Sequence, residues 1–172
     1  MNEEEKAKLN TLEVNFQNHN HDGANSQQVV VFSLFGEVPS AIQLRPATIG
    51  TAAASYDDYV IAPIAGQLYE IDFSAVDALA ANDTNFITWT ITNLGQAGAG
   101  TAVMLSTTPA GINTTKSTGG TAIAANTKMS LRVSVATNAC AVARGDRLLV
   151  RATVSGTLAN TVTFPTYCLR FK

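Results

Sequence analysis

The chain has 172 residues, of which 46% are hydrophobic and only 14% are charged, and its formal net charge is −2. This length suits one domain with a short appendage. The scarcity of Lys and Arg argues against a nucleic-acid partner, because phosphate-binding surfaces concentrate basic residues. No apolar run reaches the roughly 18 residues of a membrane span, so no membrane partner is expected. The acidic start has no signal-like segment, which predicts synthesis in the cytoplasm.

The N-terminal segment is predicted to form a short helical arm. Asn2 with Glu5 has the spacing of a capping box, and Leu9, Leu12 and Phe16 lie on one helical face. A helix this short is marginal alone, so its apolar stripe must pack on the body or on neighbouring subunits. We therefore expect Leu9, Leu12 and Phe16 to anchor the chain.

A polar linker joins this arm to the rest of the chain. The segment that ends at Gln28 is rich in Asn, His, Ser and Gln, which favours a loop or an extended linker. Residues 1–28 are thus predicted to form the arm and linker, and residues 29–172 to form one folded domain.

From Val29 onward the sequence is mostly β. Short runs rich in Val, Ile, Thr and aromatic residues alternate with polar residues between turns. Such a series without intervening helices predicts an antiparallel two-sheet sandwich of the jelly-roll type. The segment 107–126, rich in Thr, Gly and Ala, is predicted to be a long surface loop. The predicted strands are 29–35, 41–48, 57–62, 67–74, 84–93, 101–107, 128–137, 147–155 and 161–171.

One predicted strand offers a pair of carboxylates. Alternation in Leu68–Phe73 predicts that Tyr69, Ile71 and Phe73 face the core and that Glu70 and Asp72 face outward. Two carboxylates on one face could serve acid–base chemistry, but a solvated outer face is the favoured interpretation. Asp57 and Asp58 are similarly interpreted as a loop flank rather than a metal site.

The histidines argue against catalysis in the body. His19 and His21 are the only two, so residues 29–172 cannot build a Ser-His-Asp or Cys-His site. We therefore predict that the protein is not an enzyme. Cys140 and Cys168 are expected to be free thiols, and residues 144–146, Arg-Gly-Asp, are expected to form an ordinary turn before a strand.

His19 and His21 also form the strongest candidate metal site. In an extended segment, residues i and i+2 point the same way. Three chains around an axis would bring six imidazole nitrogens together, enough for an octahedral transition metal. The alternative is that the two histidines only cap turns, through hydrogen bonds with Asp22, Asn25 or Ser26.

Residues 19–26 read His-Asn-His-Asp-Gly-Ala-Asn-Ser. This segment, after a short helix, resembles the His-x-His-Asp-Gly-x-Asn-Ser signature near the start of many bacteriophage tail, fibre and head-associated proteins. The resemblance implies a trimeric virion protein: a capsid decoration or head-fibre protein whose arm contacts the major capsid protein or other virion subunits. It implies that Asp22 and Asn25 take part in assembly and that His19 and His21 hold an axial iron.

Two other functions are also consistent with the sequence. A tail-fibre or baseplate component would carry the same sequence features. A carbohydrate-binding module, with host surface glycans as partners, would use aromatic residues, and Tyr56, Tyr59 and Trp89 are the candidates. Trp89 alternates with threonines inside a predicted strand, so packing in the core is the better expectation for it.

Overall fold

Most strands of this chain alternate buried and exposed side chains, and they pair in an antiparallel manner. The computed structural model describes residues 28–31 and 41–172. The strands are β1 (Gln28–Val31), β2 (Ala41–Arg45), β3 (Ser55–Ile61), β4 (Gly66–Ser74), β5 (Phe86–Gly95), β6 (Ala102–Val103), β7 (Met129–Leu131), β8 (Ala141–Val142), β9 (Arg147–Ser155) and β10 (Thr166–Phe171).

These strands form two sheets. The larger has the order β1-β2-β10-β4-β7, with β8 also pairing with β4, and the smaller has the order β3-β9-β5-β6. Setting aside β1 and the two-residue β8, four strands in each sheet pair in an order that is consistent with a jelly roll. The mostly β, two-sheet prediction is confirmed, while the predicted helical arm lies outside the described residues.

The core lies between the two sheets and is continuous from one to the other. Phe73 of the larger sheet packs against Trp89 of the smaller, with ring centroids 5.0 Å apart, and against Tyr167 at 5.1 Å. The Nε1 group of Trp89 donates a hydrogen bond of 3.0 Å to the hydroxyl of Tyr167. Burial of Trp89 confirms that it is a core residue.

Each predicted strand overlaps an observed one, but several ends differ. The predicted strand 128–137 ends at Leu131, and the last strand begins at Thr166 rather than 161. A short strand, β8, was not predicted, since two residues give no detectable period. The connection over 107–126 contains no strand, as predicted, but it is not wholly a surface loop, because Thr115 and Ile123 are buried. The Asn113 side chain holds its middle by donating to the carbonyls of Ser106 and Arg132.

The predicted alternation in β4 is wrong at Tyr69, which does not face the core. Arg170 pairs with Glu70 while Phe171 pairs with Leu68, so Tyr69 is an extra residue that has no partner in β10. This bulge shifts the alternation by one residue. Leu68 therefore joins Ile71 and Phe73 in the core, and Tyr69 is 42% exposed.

The sandwich has two distinct ends, which we name by the strand register. At the junction end, Gln28 pairs with Arg45, Thr166 with Ser74, and Phe86 with Ser155. At the distal end, Ile61 pairs with Arg147 and Gly66 with Val142. Gln28, the first described residue, thus lies at the junction end.

Candidate functional site

The outer surface of the smaller sheet, here called the small-sheet face, is a regular surface of partly and fully exposed side chains. Alternate residues of β3, β9 and β5 point inward and are buried, so their neighbours point outward. The side chains of this face are Ser55, Asp57, Tyr59, Ile61, Thr88, Thr90, Thr92, Val103, Arg147, Leu149, Arg151 and Thr153.

Most of this face is uncharged or internally neutralised. Arg151 donates two hydrogen bonds of 2.6 Å to the carboxylate of Asp57, one from Nε and one from Nη2. This pairing holds the pKa of Asp57 below its usual range and raises the pKa of Arg151. Thr88, Thr90, Thr92 and Thr153 add uncharged hydroxyl side chains, so the face is largely polar and low in net charge.

Apolar side chains and an arginine lie toward the distal end of the face. Tyr59 is paired with Leu149 and is 45% exposed, and Ile61 is 52% exposed. The guanidinium of Arg147 lies over the ring of Tyr59, 5.4 Å from its centroid. A cation over an aromatic face is favourable, so the two side chains support each other's position.

The outer surface of the larger sheet differs because it carries a compact charge cluster. Asp72 accepts hydrogen bonds from Arg170 Nη1 at 2.6 Å, Ser130 Oγ at 2.9 Å and Lys128 Nζ at 3.2 Å. Glu70 also contacts Arg170, at 2.9 Å. We call Glu70, Asp72, Lys128 and Arg170 the large-sheet charge cluster.

The prediction that Glu70 and Asp72 lie on a solvated outer face is wrong for Asp72. Asp72 is only 5% exposed, because the two cations and Ser130 cover it. Burial by itself disfavours its ionised form, but the hydrogen bonds from Arg170, Ser130 and Lys128 outweigh burial and keep its pKa below the usual range. Asp72 is therefore held as a carboxylate, which does not suit it to donate a proton.

The other predicted acidic pair is not a loop flank. Asp57 and Asp58 lie inside β3, with Asp57 on the small-sheet face and Asp58 buried at 6% exposure on the opposite face of the strand. Because neighbouring residues of a strand point in opposite directions, the two carboxylates cannot share one ion. Within residues 41–172 no group of three His, Cys, Asp or Glu side chains has the geometry of a metal site.

The Arg-Gly-Asp turn and the two thiols match the predictions. Gly145 has a φ of 91°, which favours glycine. The Asp146 carboxylate accepts bonds from the Ala143 backbone amide at 2.8 Å and from Asn93 Nδ2 at 2.9 Å. It is therefore engaged within the turn. Cys140 and Cys168 are both free thiols, the first of them buried.

The junction end exposes apolar side chains of its own. Phe164 is 71% exposed and has a φ of 48°, a left-handed conformation that is unusual for a bulky residue. Val76, 44% exposed, is close by, since its amide donates to the carbonyl of Thr163. No sequence signal singled out Phe164, because its exposure depends on the loop conformation.

The predicted metal and assembly residues lie outside the described residues: His19, His21, Leu9, Leu12, Phe16, Asp22 and Asn25. Their roles remain predictions. Of the aromatic residues considered for sugar binding, only Tyr59 lies well exposed on a sheet face. Tyr56 is partly buried against the core, and Trp89 is 2% exposed. Within the part of the chain that is described, no helix is long and apolar enough to cross a membrane.

Comparisons with known proteins assign neither a family nor a function to this chain. No protein-family model matches the chain, and no curated protein matches it. A solved structure named "xylan-binding module CBM15" is similar, with a TM-score of 0.37 and 11% sequence identity over 88% of each chain. A likeness of this size carries neither a fold assignment nor a function to this chain.

Proposed function

We propose that this chain is a structural protein of a bacteriophage virion. In this proposal it is a trimeric capsid decoration or head-fibre protein, fixed by residues 1–28 to the major capsid protein or to other virion subunits, and it performs no catalysis. The His-x-His-Asp-Gly-x-Asn-Ser motif at residues 19–26 supports the proposal. The jelly-roll-like strand order is compatible with it, since viral capsid domains are among the users of that fold, although fold alone does not determine function.

The observation that carries the proposal is the point where the chain enters the body. Gln28 pairs with Arg45 at the junction end, so the predicted anchor is attached there. The same end exposes Phe164 and Val76, which are apolar side chains able to contact a neighbouring subunit. Attachment through residues 1–28 would turn the junction end toward the particle and leave Tyr59 and Arg147, at the distal end, directed into solution.

A rebinding assay on virus particles tests this anchoring. Full-length protein with Leu9→Ser, Leu12→Ser and Phe16→Ser should lose at least about tenfold in particle occupancy, since each substitution removes an apolar contact of roughly 1.5–3 kcal/mol when fully buried. The control is Val135→Ser, which removes an apolar side chain that is 93% exposed. Equal occupancy of the triple variant and the control would show that the stripe is not the anchor.

The same experiment separates the head from the tail. Particles rebound with gold-labelled protein and viewed by electron microscopy should carry label over the capsid shell. Label confined to the tail or baseplate would instead support the tail-fibre alternative, which shares the sequence features cited above. Label on neither would leave no virion role for the protein.

A second candidate function is carbohydrate binding by the small-sheet face. The specific observation is that Tyr59 is 45% exposed on a face that carries threonine hydroxyls, beside the Asp57–Arg151 pair. Sugars are held by aromatic surfaces with a few polar groups at their edges. Binding on a glycan array that Tyr59→Ala abolishes and Tyr69→Ala leaves intact would support it; Tyr69 is a matched control because it is similarly exposed, at 42%, on the other sheet.

A further inference from the structure

Arg147 differs in its surroundings from Arg151, the other arginine of the small-sheet face. Arg147 is the first residue of β9 and pairs with Ile61 of β3, next to the pair formed by Tyr59 and Leu149. Its guanidinium lies over the ring of Tyr59, 5.4 Å from the centroid. Arg147 therefore lies at the distal end, beside the two exposed apolar side chains of β3.

No carboxylate among the described residues forms an ion pair with this guanidinium. Arg151 and Arg170 each donate to carboxylates, at 2.6 Å in both cases. Asp57, on the same face, is engaged by Arg151, and Asp146, which precedes Arg147 in sequence, is engaged by Asn93 and a backbone amide. Among residues 41–172, Arg147 is thus a cation held in position by an aromatic ring, and its charge has no paired anion.

The chain leaves open space beside Arg147. Its neighbour in β5 is Gly95, and the turn that follows β5 is Gln-Ala-Gly-Ala-Gly, residues 96–100. A methyl group on Gly98 would lie 3.0 Å from Nη1 of Arg147, so the glycine permits this close approach. A methyl group on Gly95 would meet no heavy atom within 4 Å, so a ligand has space beside Arg147 at this position.

The shape of the surface beside Arg147 suits a short oligosaccharide. Tyr59, Leu149, Thr92 and Val103 form one row across four strands. With neighbouring strands about 4.8 Å apart, this row is roughly 14 Å long. The row offers apolar contact to the ring face of a sugar, and the threonine hydroxyls and the Asp57–Arg151 pair lie along its edge.

We propose that Tyr59 and Arg147 bind a carboxylate-bearing sugar, with the guanidinium as the partner of the carboxylate and the part of the tyrosine side chain that Arg147 leaves exposed as the support of the pyranose. The argument is charge complementarity, since a guanidinium presents a planar fork of donors that matches a carboxylate. The proposal rests on the carbohydrate-binding function proposed above and narrows it to acidic sugars. Uronic acids of bacterial polysaccharides and sialic acids of animal glycans share this chemistry.

The test compares acidic and neutral sugars that otherwise match. Calorimetric titration of the full-length protein would use an oligosaccharide containing glucuronic acid and its carboxyl-reduced form, and in a second arm sialyllactose and lactose. Acidic sugars should bind at least about tenfold more tightly than their neutral counterparts, because a hydrogen bond to a charged group is worth about 1.5–3 kcal/mol. The arm with the tighter acidic sugar identifies the source.

Variants then assign the carboxylate contact to Arg147. Arg147→Gln should weaken binding of the acidic sugar by about 10- to 100-fold, and should weaken binding of the neutral sugar much less, because the neutral sugar loses only the support that Arg147 gives to Tyr59. Arg147→Lys should restore part of the affinity, since it keeps the charge without the fork. Arg132→Gln, an exposed arginine just after β7 in the other sheet, is the charge-matched control and should have no effect.

Each result decides one question. Equal binding of acidic and neutral sugars, with loss on Tyr59→Ala, would overturn the acidic-sugar proposal but keep the carbohydrate function. Acidic-sugar binding that Arg147→Gln does not change would overturn the assignment to this site. No binding of any sugar would overturn both proposals, provided that the fluorescence of Trp89, the single tryptophan, confirms that the protein is folded.

Discussion

Replacing Tyr167 with Phe tests whether one buried hydrogen bond joins the two sheets. The substitution keeps the ring that packs 5.1 Å from Phe73 and removes the hydroxyl that accepts the bond from Trp89 Nε1. Both side chains are 2% exposed, so water cannot replace the lost acceptor. Leaving a buried donor unsatisfied costs about 1–3 kcal/mol, and we expect Tyr167→Phe to lower the free energy of unfolding by that amount.

The measurement is urea-induced unfolding at 25 °C, followed by the fluorescence of Trp89. Tyr69→Phe is the matched control: its side chain is 42% exposed, and a surface change of this kind should stay within about 0.5 kcal/mol. Burial raises the pKa of Tyr167, so the hydroxyl stays protonated and the loss should be the same at about pH 6 and about pH 9.

A double-mutant cycle isolates the bond itself. With Trp89→Phe, Tyr167→Phe and both together, unfolding followed by circular dichroism should give a coupling of about 1 kcal/mol. If Tyr167→Phe costs less than about 0.5 kcal/mol, or if the cycle shows no coupling, the bond does not stabilise the contact between the sheets and the reasoning from its geometry is wrong.

Three further predictions concern assembly, metal and pH. Sedimentation equilibrium at micromolar concentration should give the mass of three chains, and a stable single-chain mass would contradict the proposed trimer. Elemental analysis of untagged protein should find about one transition-metal ion, such as iron, per three chains, lost in His19→Ala, whereas no metal would support the turn-capping alternative for His19 and His21. Because the pKa of Asp72 is lowered in the fold, its stabilising contribution is present above the unfolded pKa of about 3.9 and is lost as the pH falls through the folded value. Thermal unfolding of Asp72→Asn should therefore be less sensitive than the wild type to acidification below about pH 4, and equal pH profiles would refute this.

The sequence by itself determined the approximate position of most strands of the body, but not all of their ends and not the two-residue β8. A strand with one buried face repeats every two residues, so the alternation in β5 and β9 was readable without any contact partner. The sequence also shows that the body contains no histidine, because His19 and His21 both precede the body. The eight-residue motif at 19–26 is likewise visible in the sequence alone, and the virion role is a proposal that rests on it.

The tertiary structure decided which side chains meet. The bulge at Tyr69 follows from the register of β10 against β4, which the alternation within β4 does not contain. Asp72 is buried because Lys128 and Arg170, 56 and 98 residues away in sequence, close over it. Arg147 lies over Tyr59 because β9 pairs with β3. Local periodicity sets the face on which a residue lies, but pairing between distant strands sets its neighbours, and a binding site consists of neighbours.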